Sequence, residues 1–214
     1  MHISSGFDAG NIKVISLDDP QDIRLEIITD NQSEFYQWFY FRLSRVRATS
    51  CRLKIINAGG AAYPDGFQDY RVLYSYDRRT WRRHPTVFAD GVLSWDFTPA
   101  HDIVYFSYFT PYSTERHHDL LTQAVSSPLV RHCSLGKTLD GADIDLLVVE
   151  NKTRKADDKL LNCWLIARQH PGETMAEWWM EGLLEKLLDE NDPTARELLQ
   201  RCCFHIVPNM NPDG

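Results

Sequence analysis

Aromatic side chains are crowded into one end of this sequence. Of its 25 Phe, Trp and Tyr residues, 21 fall within residues 1–115, and every tyrosine precedes Ser113. Charge shifts at the same place: residues 1–115 carry 12 basic and 14 acidic side chains, residues 116–214 carry 11 and 16. Two stretches that build their cores from such different side chains are expected to form two domains, 1–115 and 116–214.

The first stretch has the grammar of strands. Ile23, Leu25 and Ile27 alternate with Arg24 and Glu26, the period of a half-buried strand. Residues 35–43 are densely aromatic, 51–56 alternate ahead of Asn57-Ala58-Gly59-Gly60, and 72–76 and the Trp81 region flank the polar tip Asp77-Arg78-Arg79-Thr80. With 93–97 and 103–109 this makes about seven strands and no helical stripe, which predicts an antiparallel β-sandwich.

Beyond Pro111 the pattern changes. Residues 115–124 suit a short helix, and 135–139 and 145–150 suit two strands joined around Asp140-Gly141. Residues 160–168 are nearly continuous in apolar character, as expected of a strand covered on both faces. Ala176, Trp179, Met180, Leu183, Leu184, Leu187 and Leu188 then form the stripe of an amphipathic helix over 174–190. Asp192-Pro193 signals a second helix running to Arg201, and 203–207 is again strand-like. The fold class expected is therefore α+β in two domains, a β-sandwich followed by an α/β region with a mixed sheet and flanking helices.

Composition narrows the function. A net charge of −7 argues against a nucleic-acid-binding surface. No run approaches the ~18 uncharged apolar residues of a membrane span. The opening Met1-His2-Ile3-Ser4-Ser5-Gly6 lacks the basic start and apolar run of a signal peptide. Five irregularly spaced cysteines suggest reduced thiols, so a cytoplasmic location is expected.

The chemistry-bearing segment is His170-Pro171-Gly172-Glu173, between the apolar strand and the amphipathic helix. Imidazole nitrogen and carboxylate oxygen are both good zinc ligands. A Pro-Gly turn can direct side chains three positions apart into one pocket above a sheet, where α/β proteins place ligands. Glu173 also gains from the partial positive charge of a helix start. By spacing alone, the same residues also fit an ordinary surface turn.

The segments Ala167-Arg168-Gln169-His170-Pro171-Gly172-Glu173-Thr174 and Ile206-Val207-Pro208-Asn209-Met210-Asn211-Pro212-Asp213-Gly214 resemble the zinc metallocarboxypeptidases. Within that family the chain is similar to the cytosolic carboxypeptidase subfamily, in which a β-sandwich precedes the catalytic domain. Tyr108-Phe109-Thr110-Pro111-Tyr112-Ser113-Thr114-Glu115-Arg116-His117 resembles the junction between those two domains.

The resemblance implies a Zn²⁺ cofactor held by His170 and Glu173, plus a third ligand, a histidine, further along. It also implies hydrolysis of C-terminal residues from the tails of peptides or proteins, with glutamate a candidate product. It gives the segment 209–214 a scaffolding role. The family's general base and oxyanion arginine follow the equivalent of Gly214, so no catalytic residue is expected within this chain. The chain is expected to be the first part of a longer peptidase, inactive or a weak metal binder alone, with an open sheet edge and an uncovered apolar helix face.

Local substitutes for the third ligand are weaker candidates. His205 shares a strand face with Cys203 and Val207, as a packed residue does, and His117-His118 lies at the junction. Arg78, Arg79, Arg82 and Arg83 form the dense basic cluster, read as solvated hairpin charges or, alternatively, as a dock for an acidic tail. The aromatic run 36–41 is read as core. Two other functional readings stand beside the peptidase: a zinc-dependent deacylase or amidase of the same fold, and a non-catalytic binding module.

Overall fold

Ten strands come first, several of them marked by alternation of apolar and polar residues. They are β1 (His2–Ser4), β2 (Lys13–Ser16), β3 (Ile23–Glu26), β4 (Tyr40–Ser44), β5 (Cys51–Ile55), β6 (Arg71–Ser75), β7 (Arg82–Pro85), β8 (Val87–Ala89), β9 (Val92–Phe97) and β10 (Ile103–Ser107). The computed structural model describes residues 1–151 and 160–213. Its chain divides into two compact units, Met1–Pro111 and Tyr112–Gly214.

The first unit is a sandwich of two five-stranded sheets. One has the order β1-β4-β10-β6-β7 and is antiparallel throughout; the other, β2-β3-β5-β9-β8, includes one parallel pair, β3 with β5. Inward-facing positions make the core. Ile23 and Leu25, Cys51, Leu53 and Ile55, and Leu93 and Trp95 come from one sheet; Phe41 and Leu43, and Val104 and Phe106, come from the other. Their rings meet edge-on or tilted, as Phe97 does with Phe106 at 5.0 Å and Phe41 with Phe106 at 5.5 Å. Each fully buried side chain of this size stabilises the fold by about 1.5–3 kcal/mol before entropy is counted. The sandwich expected from the sequence is what forms.

Ten strands replace the seven expected. The added ones, β1, β2 and β8, are edge strands of three or four residues, two of them largely exposed, so alternation has little chance to show in them. Asp90 and Gly91, both with positive φ, make the tight turn from β8 to β9. Gly59 packs on this turn: a Cβ there would lie 2.7 Å from Gly91 Cα. The aromatic run is strand only from Tyr40; Trp38 and Phe39 are buried but irregular, and Phe35 is exposed.

The second unit contains α1 (Thr114–Val125), β11 (Val130–Lys137), β12 (Asp143–Val149), β13 (Leu161–Ile166), α2 (Thr174–Leu187), α3 (Pro193–Arg201) and β14 (Cys202–Val207). Ser113 caps α1 by accepting from Arg116 N, and Asp192 caps α3 by accepting from Ala195 N. The sheet order is β11-β12-β14-β13. The first two pairings are antiparallel and β13–β14 is parallel, the mixed sheet with flanking helices expected. A parallel pair needs a long crossover, which α2 and α3 supply.

Two expectations need correction. The apolar strand, β13, is not covered on both faces. It is the outer strand of its sheet among the described residues, and Leu161, Trp164 and Ile166 are 65%, 54% and 46% exposed. Only Cys163 and Leu165 pack against the core beneath. The apolar face of α2 is also rotated from the stripe assigned to it. Met180, Leu184 and Leu187 are buried, but Trp179 is exposed and Glu177 takes an inward position instead.

Candidate metal centre

The two parallel strands β13 and β14 end side by side, and each is followed by one of the two segments singled out in the sequence. Ala167 N donates to Val207 O at 2.9 Å, and Met210 N donates to Ala167 O at 3.0 Å, so pairing runs past the strand ends. At Arg168 the backbone turns through a left-handed conformation, φ +48°. The next five residues form a tight turn, closed by Glu173 N donating to His170 O at 3.0 Å, which leads directly into α2.

This turn brings the two predicted ligands together. His170 Nδ1 lies 3.0 Å from Glu173 Oε1, and the side chains are 79% and 52% exposed. Glu173 is the N-cap residue of α2, yet its side chain caps no backbone amide; its carboxylate faces the imidazole instead. An imidazole nitrogen and a carboxylate oxygen this close form a donor pair of the kind zinc accepts, and the residues fit that ion as part of its ligand set. Among the described residues, no cluster of three or more His, Cys, Asp or Glu able to hold a metal is formed.

The second segment supports the first. Asn211 Nδ2 donates to Gln169 O at 3.3 Å, and Asn209 Oδ1 accepts from Asn211 N at 3.0 Å. Asp213 ties the segment to the β11–β12 hairpin by accepting from Thr138 Oγ1 at 2.6 Å and from Asp140 N at 3.1 Å. Gly214 lies outside the described residues.

The alternative histidines are engaged elsewhere. His205 stacks on Trp164, with ring centroids 4.6 Å apart, and its Nε2 lies 3.1 Å from Asn162 Oδ1, as suits a packed strand residue. His117 is buried between two carboxylates: Nδ1 is 2.9 Å from Glu177 Oε1 and Nε2 is 3.2 Å from Asp145 Oδ2. Burial by itself would lower the His117 pKa. The Glu177 and Asp145 hydrogen bonds outweigh it, and the net shift is upward. Asp145 Oδ1 also accepts from His132 Nε2 at 2.6 Å.

Sequence reasoning missed the polar network around this histidine. Arg168 is buried, and its Nη1 donates to Glu177 Oε2 at 2.5 Å and to Tyr112 O at 3.2 Å; its Nε donates to Pro171 O at 3.0 Å. The available signal was spacing, since Glu177 stands three, seven and ten positions before Met180, Leu184 and Leu187, on the same helix face.

Comparison with known proteins agrees with this architecture. Residues 3–109 match the family model described as the cytosolic carboxypeptidase N-terminal domain, and residues 118–214 match that described as zinc carboxypeptidase. The chain belongs to the zinc carboxypeptidase family, in its cytosolic carboxypeptidase branch. It is 50% identical to an uncharacterised protein of Zymomonas mobilis, over all of this chain and 54% of that one. It is similar to the crystal structure of a metallo-carboxypeptidase from Burkholderia cenocepacia: 45% identity, TM-score 0.94, 99% of this chain and 56% of the other. A Pseudomonas aeruginosa metallo-carboxypeptidase, solved with (2-guanidinoethylmercapto)succinic acid, gives 41% identity and TM-score 0.93 over 100% and 56% of the two chains. The chain thus spans about half the length of these relatives.

Proposed function

We propose that His170 and Glu173 are two of the zinc ligands of a metallocarboxypeptidase that releases C-terminal residues from peptides or proteins. The 3.0 Å approach of these two side chains, at the paired ends of β13 and β14, carries the proposal. Bound there, zinc supplies a Lewis acid for the scissile carbonyl and lowers the pKa of its water toward ~7. The protein's own contribution is to aim the two donors outward from a rigid strand–turn–helix junction. Family membership supports the peptidase class, and the complex of the Pseudomonas aeruginosa relative with a succinic acid compound supports a site that receives carboxylates. A cytoplasmic setting belongs to the same reading, supported by the matched N-terminal domain and by the odd number and irregular spacing of the five cysteines.

Zinc titration of the purified chain, followed by the His170 imidazole NMR signals, tests the ligand assignment. Saturable shifts are expected. His170→Ala and Glu173→Gln should weaken binding by more than the roughly 10–100-fold typical of losing an outer hydrogen-bond partner. Binding unaffected by either change removes both residues from the metal site. The peptidase assignment is tested on the chain expressed with whatever coding sequence follows residue 214, against peptides differing in their last residue. Absence of hydrolysis by the unaltered protein would refute it, and hydrolysis that survives both substitutions would remove His170 and Glu173 from the metal site.

A further inference from the structure

Glu177 is 0% exposed on a helix face that it shares with Thr174, Met180, Leu184 and Leu187. A buried ion pair is seldom retained for stability alone, because apolar side chains of similar volume often serve as well. What this pair holds is specific. One carboxylate oxygen of Glu177 receives Arg168, and the other faces His117, which Asp145 on β12 holds from the far side. Arg168 spends its remaining bonds on two backbone carbonyls, one of them Pro171 O, within the turn between His170 and Glu173.

We infer that Arg168 and Glu177 are positioning residues for the proposed metal ligands. The guanidinium clamps the turn from inside, and Glu177 fixes the guanidinium. This inference rests on the assignment of His170 and Glu173 as ligands and adds the device that presents them. Geometry favours arginine for the task. Its planar fork reaches a carboxylate and two carbonyls at once, whereas a lysine ammonium is a point donor on a flexible stem. The left-handed backbone at Arg168 turns the side chain back under the loop it begins, and a buried clamp keeps the donors fixed while leaving both exposed to a ligand. A bound ion benefits when its ligands are held before it arrives.

The test uses the purified chain and two variants, Arg168→Lys and the double variant Arg168→Met/Glu177→Gln, which removes both charges together so that neither is stranded. Amide exchange at Glu173 reads the turn, exchange at Ile206 on β14 reads the fold, and zinc titration at His170 reads the site. Both variants are expected to keep Ile206 protected, to speed Glu173 exchange about tenfold, and to weaken zinc about tenfold. Exchange at Glu173 and zinc affinity equal to the unaltered chain would overturn the inference. Loss of Ile206 protection in both variants would also overturn it, by making the pair a determinant of the fold instead of the turn. Zinc that leaves His170 unmoved in the unaltered chain refutes the ligand assignment alone, and Glu173 exchange then still decides the clamp.

Discussion

His117 shows how one buried residue makes stability depend on pH. It is faced by Glu177 from α2 and by Asp145 from β12, with Arg168 beyond the first carboxylate, His132 beyond the second, and His118 beside it on α1. Its pKa in the fold lies above the ordinary 6.5, because the two carboxylate hydrogen bonds outweigh burial. A raised histidine pKa means that the folded state holds the proton more tightly than the unfolded state. The contribution is complete below about pH 6.5 and is lost as pH rises through the folded pKa. Urea unfolding between pH 6.5 and 9 should show stability falling as pH rises, and His117→Gln should flatten that part of the curve. An unchanged slope in the variant would assign the dependence to another group. His170 and Glu173 were singled out through the resemblance of their segment to a known family, since by spacing alone they also fit an ordinary surface turn; the structure brings the two side chains within 3.0 Å of each other. The Arg168–Glu177–His117 network was not legible in the sequence, since nothing local marks an arginine, a glutamate and a histidine 60 positions away as one another's partners.

Elements were legible wherever a local rule decides them. The Asp192-Pro193 signal placed α3 correctly: Asp192 Oδ1 accepts from Ala195 N at 2.8 Å, and proline occupies the first turn, where no amide is needed. Asp192→Ala should cost about 1 kcal/mol, the usual loss at an N-cap, measured by chemical denaturation. Asp192 also meets Lys186, but that pair is solvent-exposed on the lysine side and adds little. A loss near zero would mean that backbone or water replaces the cap. The β8–β9 hairpin carried a comparably strong signal, Asp90-Gly91, yet only β9 was anticipated, because β8 is three residues long with two of them exposed. The face of α2 was misjudged because hydropathy alone chose Trp179 over Glu177, and a glutamate enters a core only with partners that the sequence does not reveal.

For the molecule as a whole, the consequential feature is the outer side of β13. Nothing among the described residues pairs with its free edge, and it exposes Leu161, Trp164 and Ile166. The segment's apolar continuity reads as a central strand, whereas the chain places it at the border of a sheet; the side chains are unchanged and only the neighbours differ. Natural edges are usually blunted by charge, proline or a bulge, and β13 has none of these between Leu161 and Ile166. Exposed edge and exposed apolar surface together favour association between copies, against which a net charge of −7 gives only long-range repulsion. Light scattering at rising protein concentration should therefore show self-association, stronger at high salt, where that repulsion is screened. Leu161→Lys with Ile166→Lys should suppress it, because both substitutions put charge on the free strand without touching the Cys163 and Leu165 contacts beneath. If the purified chain stays monomeric at high concentration and high salt, or if the charged variant associates as readily as its parent, the β13 edge is not the surface responsible.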